Sequence, residues 1–87
     1  MKKFLLYPLL YIGSIFGQFS VTGKISDKKS RSPLPGSNVI LVGTNLGAAT
    51  DADGNFEINN VPSGEYEIMA TFIGYENFKT NITVSSN

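Results

Sequence analysis

Between Thr50 and Tyr66 the chain alternates apolar and polar residues between two tight corners, and few folds accommodate that pattern. Asp53-Gly54 is a hairpin signal, because glycine enters φ > 0 without steric cost and aspartate tolerates the corner better than most residues. Val61-Pro62-Ser63-Gly64 supplies a second corner: Pro62 presets φ at its first position and Gly64 closes the turn. Between the corners Phe56 and Ile58 alternate with Glu57 and Asn59, which gives one apolar face and one wet face. The pattern predicts a meander of strand, turn, strand, turn and strand, with the flanking chain packed against it.

The rest of the chain reads the same way. Phe19 to Ser26 alternates with period two and makes a first strand, with Phe19, Val21 and Ile25 on one face. Asp27 to Gly36 is a polar connection in which Pro33 and Pro35 withhold backbone donors and Gly36 lets the chain swing into the next strand. Leu34, its one apolar residue, is expected under the sheet edge. Asn38 to Gly43 is apolar on both faces, so it should be a central strand or have its outer face covered. A short third strand spans 48–50. Glu65 to Ile73 forms the longest strand, with Tyr66, Ile68, Ala70 and Phe72 toward the core because the glutamates opposite need water. Gly74 allows a bend that re-aims Tyr75. Asn77 to Val84 is the sixth strand. Short strands separated by turn signals predict an all-β fold, a small antiparallel Greek-key β-sandwich.

The first 17 residues stand apart from this pattern. Lys2-Lys3 precedes an apolar run of 13 residues, Phe4 to Phe16, and Ile15 and Gly17 occupy the positions a signal peptidase reads. The expectation is a helical signal peptide over 1–17 and a β-sandwich domain over 18–87. The run is shorter than the ~20 apolar residues of a membrane span, and Pro8 interrupts it. Removal of the leader leaves 70 residues, with five cations against seven anions and a net charge of −2. No basic patch rises above that background, which argues against nucleic acid and anionic membrane surfaces as partners. The chain contains no cysteine, so the domain has neither a disulfide nor a lipidated N-terminal cysteine and must rely on its apolar core.

Several chemistries are excluded by composition. With no histidine and no cysteine, the chain lacks the ligands of zinc peptidase sites and every His-paired nucleophile. Asp51-x-Asp53-Gly54 resembles the start of a calcium loop, but such a loop spreads its ligands over about 12 residues and ends in a bidentate glutamate. Glu57 falls too early, on a strand, so Asp51 and Asp53 are weak metal candidates whose expected role is to bind turn amides. Nor do two carboxylates in one turn flank a cleft as a glycosidase pair must. No catalytic group and no cofactor is expected. Tyr75 and Phe78 offer an aromatic platform for sugar rings or, on the simpler reading, cap the end of the core. Asn81-Ile82-Thr83 fits a glycosylation pattern, read here as coincidental. Ile40, Val42, Met69 and Ile73 fall on faces opposite the expected core and, if their strands adjoin, form an exposed apolar contact patch.

Taken together, Pro33-Leu34-Pro35-Gly36-Ser37-Asn38-Val39, Val42-Gly43-Thr44, Gly47, Thr50-Asp51-Ala52-Asp53-Gly54-Asn55-Phe56, Val61-Pro62-Ser63-Gly64-Glu65-Tyr66 and Ile73-Gly74-Tyr75 resemble the carboxypeptidase-regulatory-like domain. The resemblance covers nearly the whole mature chain and implies a transthyretin-like sandwich of about seven strands, a size usual for small Greek-key sandwiches. Such domains sit beside metallocarboxypeptidase catalytic domains or form the periplasmic N-terminal extension of TonB-dependent outer-membrane receptors of the Bacteroidetes type. A leader followed at once by this domain fits the second setting. The resemblance therefore implies a non-enzymatic periplasmic accessory domain of a nutrient receptor, truncated here, that docks or couples to a receptor plug or envelope protein. A free-standing exported sandwich binding glycan or protein is the alternative. Six strands are visible where the family has a seventh, which leaves an edge open to self-association.

Overall fold

The computed structural model describes residues 4–6, 11–15 and 18–85. Its elements in chain order are β1 (Phe4–Leu6), β2 (Tyr11–Ile15), β3 (Gln18–Asp27), β4 (Asn38–Leu41), β5 (Gly47–Ala49), β6 (Asn55–Pro62), β7 (Gly64–Thr71) and β8 (Phe78–Val84). Among the described residues there is no helix, and the expected sandwich of six strands lies within 18–85. All pairings are antiparallel. One sheet is built on β3, which pairs with β6 on one side and with β1 and β2 on the other. The second sheet has the order β5-β4-β7-β8.

The alternation read from the sequence becomes burial. Val21 and Ile25 of β3, Val39 and Leu41 of β4, Phe56, Ile58 and Val61 of β6, and Ile68 and Ala70 of β7 meet in one core between the sheets. Ile82 and Val84 of β8 close it on one side, and Leu34 is buried beneath the connection that carries it. Its N–H donates to the Ile25 carbonyl at 3.1 Å. The apolar strand Asn38–Leu41 is central, flanked by β5 and β7. Tyr66 and Phe72 pack on the core but stay half-buried. Tyr66 keeps its hydroxyl at the rim, where it donates to the Pro62 carbonyl at 2.7 Å.

One sequence expectation needs correction. The corners around Gly54 and Pro62-Gly64 do not join neighbouring strands of a meander. β5 and β7 lie in one sheet and β6 in the other, so both corners carry the chain between layers. Short connections fit both geometries, and only the choice of partners distinguishes them. The described residues before Gln18, 4–6 and 11–15, pair with β3. β1 pairs Phe4, Leu5 and Leu6 with Asp27, Ser26 and Ile25, and β2 pairs Tyr11 to Ile15 with Thr22 to Gln18. An unpaired β3 edge offers backbone donors and acceptors that an apolar segment close in sequence can satisfy. The remaining leader residues lie outside those described.

The two ends of the sandwich differ. At one, Gln18 is paired with Pro62 and Gly64 with Val84, so the start of β3 and the end of β8 both flank the β6–β7 corner. At the other lie the 27–37 connection, the Asp51–Gly54 turn and the β7–β8 turn.

Candidate interaction surface

The outer face of the second sheet is the most distinctive surface. Ile40 is the direct register partner of Met69, and Met69 is in turn opposite Lys79. On the far side Ile40 faces Gly47, which offers no side chain to cover it. The Val42 N–H donates to the Glu67 carbonyl at 2.8 Å and extends the β4–β7 pairing one step. Val42 therefore lies on the same outer face. Ile40 is 38% and Val42 42% exposed, and Met69 is partly covered. Glu67, Lys79 and Asn81 border this apolar strip, giving the polar rim around an apolar centre that is common at contact surfaces.

Ile73, the fourth predicted member, stands apart. It is 95% exposed at the tip of the Phe72–Tyr75 turn, which is closed by the Tyr75 N–H donating to the Phe72 carbonyl at 3.1 Å. Gly74 takes φ 86° there. The polar register pair Asn38 and Thr71 separates Ile73 from the Ile40–Met69 row.

Asp51 and Asp53 occupy a turn rather than a ligand cage. The Asp51 Oδ1 accepts from the Asp53 and Asn55 N–H groups, each at 2.9 Å, and its backbone carbonyl accepts from Gly54 at 2.9 Å. One carboxylate oxygen is thus engaged in setting the corner. Among the described residues no group of three or more acidic, histidine or cysteine side chains converges. Gly54 has φ 79°, and Gly36 has φ 78° in the connection before β4. An open depression of about 830 Å³ lies on the outer face of β3 and β6 and is lined by Thr22, Lys24, Asn55 and Glu57 among others. It is wide and lined by polar and apolar groups alike, and beside it the Ser20 hydroxyl donates to Asn59 Oδ1 at 2.8 Å.

The sequence did not single out the contacts at the loop end. The Tyr75 hydroxyl donates to Asp27 Oδ2 at 2.6 Å, and the Lys29 and Ser30 N–H groups donate to Asp27 Oδ1 at 2.8 and 3.0 Å. These donors, Tyr75 first, hold the Asp27 carboxyl down at about 2, against the opposing effect of desolvation. The same carboxylate pushes the Tyr75 phenol upward. The Tyr75 ring meets Phe4 at 5.1 Å and Phe72 at 5.7 Å between centroids. Nearby, the Thr50 hydroxyl donates to the Leu34 carbonyl at 2.6 Å and accepts from the Ser37 N–H at 2.8 Å. An Asp opening an Asx turn and a Tyr following a bend glycine were visible signals, but nothing local paired them across 48 residues.

Two antiparallel sheets with these corners define a small all-β sandwich, and the comparisons give its family. The family model of the CarboxypepD_reg-like domain matches residues 21–87. The chain belongs to the carboxypeptidase-regulatory-like domain family. It is 38% identical over 72 residues to TonB-dependent receptor P39 of Formosa agariphila, covering 83% of this chain and 7% of the relative. It is 37% identical over 67 residues to TonB-dependent receptor SusC of Bacteroides thetaiotaomicron, covering 77% of this chain and 6% of the relative. A third relative, TonB-dependent receptor P3 of Formosa agariphila, is 28% identical over 89 residues, covering all of this chain and 9% of the relative. The chain thus spans less than a tenth of the length of these relatives. No solved structure matches it significantly.

Proposed function

We propose that this domain is a non-enzymatic accessory module of a TonB-dependent outer-membrane receptor. It is exported with removal of residues 1–17, works in the periplasm and docks through the outer face of its second sheet. The observation that supports the receptor setting is the identity of 37–38% to TonB-dependent receptors of two organisms over most of this chain. The docking role draws on the Ile40–Met69 pair with Val42, an apolar strip that the fold leaves uncovered on a sheet whose other face is the core. Its occupant is a protein surface, the receptor's own plug or an envelope partner. The turn carboxylates and the loop-end network are structural, and with no histidine or cysteine the module lacks the ligands of a zinc carboxypeptidase.

The test uses the receptor reading frame that carries this domain. Ile40→Lys with Met69→Lys places charge on the strip without touching the core. The expected result is normal receptor assembly in the outer membrane, loss of partner cross-linking at this face and impaired uptake. Unchanged uptake and cross-linking would remove the docking role. N-terminal sequencing of the exported protein tests the leader separately, and a retained Met1 counts against its removal.

A further inference from the structure

Asp53 combines a free carboxylate with an unhindered neighbour, and the corner that carries it keeps the two from reacting. It is the one aspartate or asparagine of the chain that precedes a glycine. A glycine has no Cβ to keep its backbone nitrogen from the preceding side chain, so this pair is the most prone to close a ring. Asp51 differs on both counts: Ala52 follows it, and its Oδ1 accepts from the Asp53 and Asn55 N–H groups. The Asp53 carboxylate is exposed and makes no hydrogen bond or ion pair among the described residues. The nucleophile is restrained instead. Gly54 is buried at φ 79°, its N–H donates to the Asp51 carbonyl at 2.9 Å, and its carbonyl accepts from the Ile25 N–H at 2.8 Å. The Asp51 N–H donates to the Asn55 carbonyl at 2.8 Å and closes the corner on itself. The Gly54 nitrogen reaches the Asp53 side chain only when these bonds open together.

We propose that Asp53 is a site of spontaneous backbone isomerisation, held in check in the folded domain by Asp51 as a positioning residue. The Gly54 nitrogen gives up its proton and bonds to Asp53 Cγ. One carboxyl oxygen leaves with two protons as water, and a five-membered succinimide remains. Water then adds back. Opening the ring at Cγ restores aspartate, whereas opening it at the main-chain carbonyl carbon leaves Gly54 attached through the Asp53 side chain, as isoaspartate. The water lost is the water regained, and no oxidant or reductant takes part. Isoaspartate threads one more atom into the backbone at this corner. The corner has no room for it: a Cβ built on Gly54 would already lie 2.6 Å from the Ile25 carbonyl oxygen. The lengthened chain therefore loses the Ile25–Gly54 hydrogen bond that seats the corner on β3. A chain that folds promptly is protected, and one that lingers unfolded is marked at Asp53 and leaves the pool able to fold. The inference asks nothing of the sheet edges or of the docking face, since every contact it uses lies between Ile25 and Asn55.

The experiment incubates the full chain 1–87 at neutral pH, one portion native and one unfolded in guanidinium chloride. Isoaspartate is located by peptide mapping with electron-transfer fragmentation and by isoaspartyl methyltransferase labelling. The unfolded portion should accumulate it at position 53, and the native portion at least about tenfold more slowly, because a corner held by several hydrogen bonds opens rarely. Equal rates in the two portions, or no isoaspartate at 53 in the unfolded chain, overturn the proposal. Asp51→Ala removes the acceptor of the Asp53 and Asn55 N–H groups and should raise the native rate about tenfold. Denaturation of the same variant gives its unfolded fraction, and a rise no larger than that fraction supplies refutes the role of Asp51. Asp51→Ser keeps a weaker acceptor oxygen and should fall between wild type and Asp51→Ala. Should Asp51→Ala fail to fold, the serine variant carries the comparison, and a native rate equal to wild type refutes the role. Chains converted at 53 and separated by chromatography should fail to recover the native circular-dichroism spectrum, and full recovery overturns the claim that conversion blocks folding.

Discussion

Gly54→Ala is expected to bring the domain close to unfolding. Gly54 sits at φ 79°, and a Cβ built on it would lie 2.6 Å from the Ile25 carbonyl oxygen and 3.1 Å from Pro33 Cβ. The approach is close because the Ile25 N–H donates to the Gly54 carbonyl at 2.8 Å, which clamps the corner onto the end of β3. Holding an L-residue in the left-handed region costs about 1–2 kcal/mol. Forcing a methyl group against a backbone oxygen that cannot rotate away adds about 1–3 kcal/mol. The sum, about 2–5 kcal/mol, compares with roughly 4–10 kcal/mol of total stability for a domain of this length. Gly43→Ala is the internal control: its φ is 83°, but nothing lies within 4 Å of the added atom, so only the conformational cost applies. Urea denaturation of both variants reads the difference as a shift in midpoint at constant slope. Gly54→Ala should lose about 1–3 kcal/mol more than Gly43→Ala. Equal losses would show that the steric part of the reasoning is wrong.

Further outcomes follow from the loop end. Thr50→Val removes the acceptor of the Ser37 N–H and orphans a buried donor, so it should cost about 1–3 kcal/mol by denaturation, although the shape is conserved. In Ser37→Ala the Leu34 carbonyl keeps the Thr50 hydroxyl as donor at 2.6 Å, so that variant should cost less. Folding lowers Asp27 from 3.8 to about 2, so its stabilisation is complete above pH 3.8 and is lost as pH falls toward 2. Folding raises Tyr75 above 10.0, so the same contact stabilises below that value and fails as pH rises beyond it. Tyr75→Phe deletes the leading cause of the Asp27 shift. Carboxyl resonances should then show Asp27 titrating nearer its ordinary value, and an unmoved titration would assign the shift to the backbone amides instead.

The sequence carried local geometry well and partner choice poorly. Alternation in Phe19-Val21-Ile25 and Phe56-Ile58 marked the buried face of each strand, because a strand with one wet side must alternate. Alternation in Glu65 to Ile73 placed Met69 on the outward face, and the β4–β7 register then set Ile40 beside it. The corner at Asp53-Gly54 was visible from its residues, whereas its role in crossing between sheets was not, because a tight turn does not specify which strands pair. Tyr75 and Asp27 are 48 positions apart, and their contact arises only once the two layers close. The leader was read from its charge and apolar length. Its extended pairing depends on the β3 edge, a tertiary feature absent from the leader itself.

Gln18 and Val84 emerge beside the same corner, so both ends of the domain leave from one end of the sandwich. Traction applied to residues after Val84 would begin at the Gly64–Val84 pair and unzip β8 from β7 rung by rung, sparing the β3–β6 layer at first. A module tethered in this manner gives way mechanically by peeling, at lower loads than strands sheared along their length.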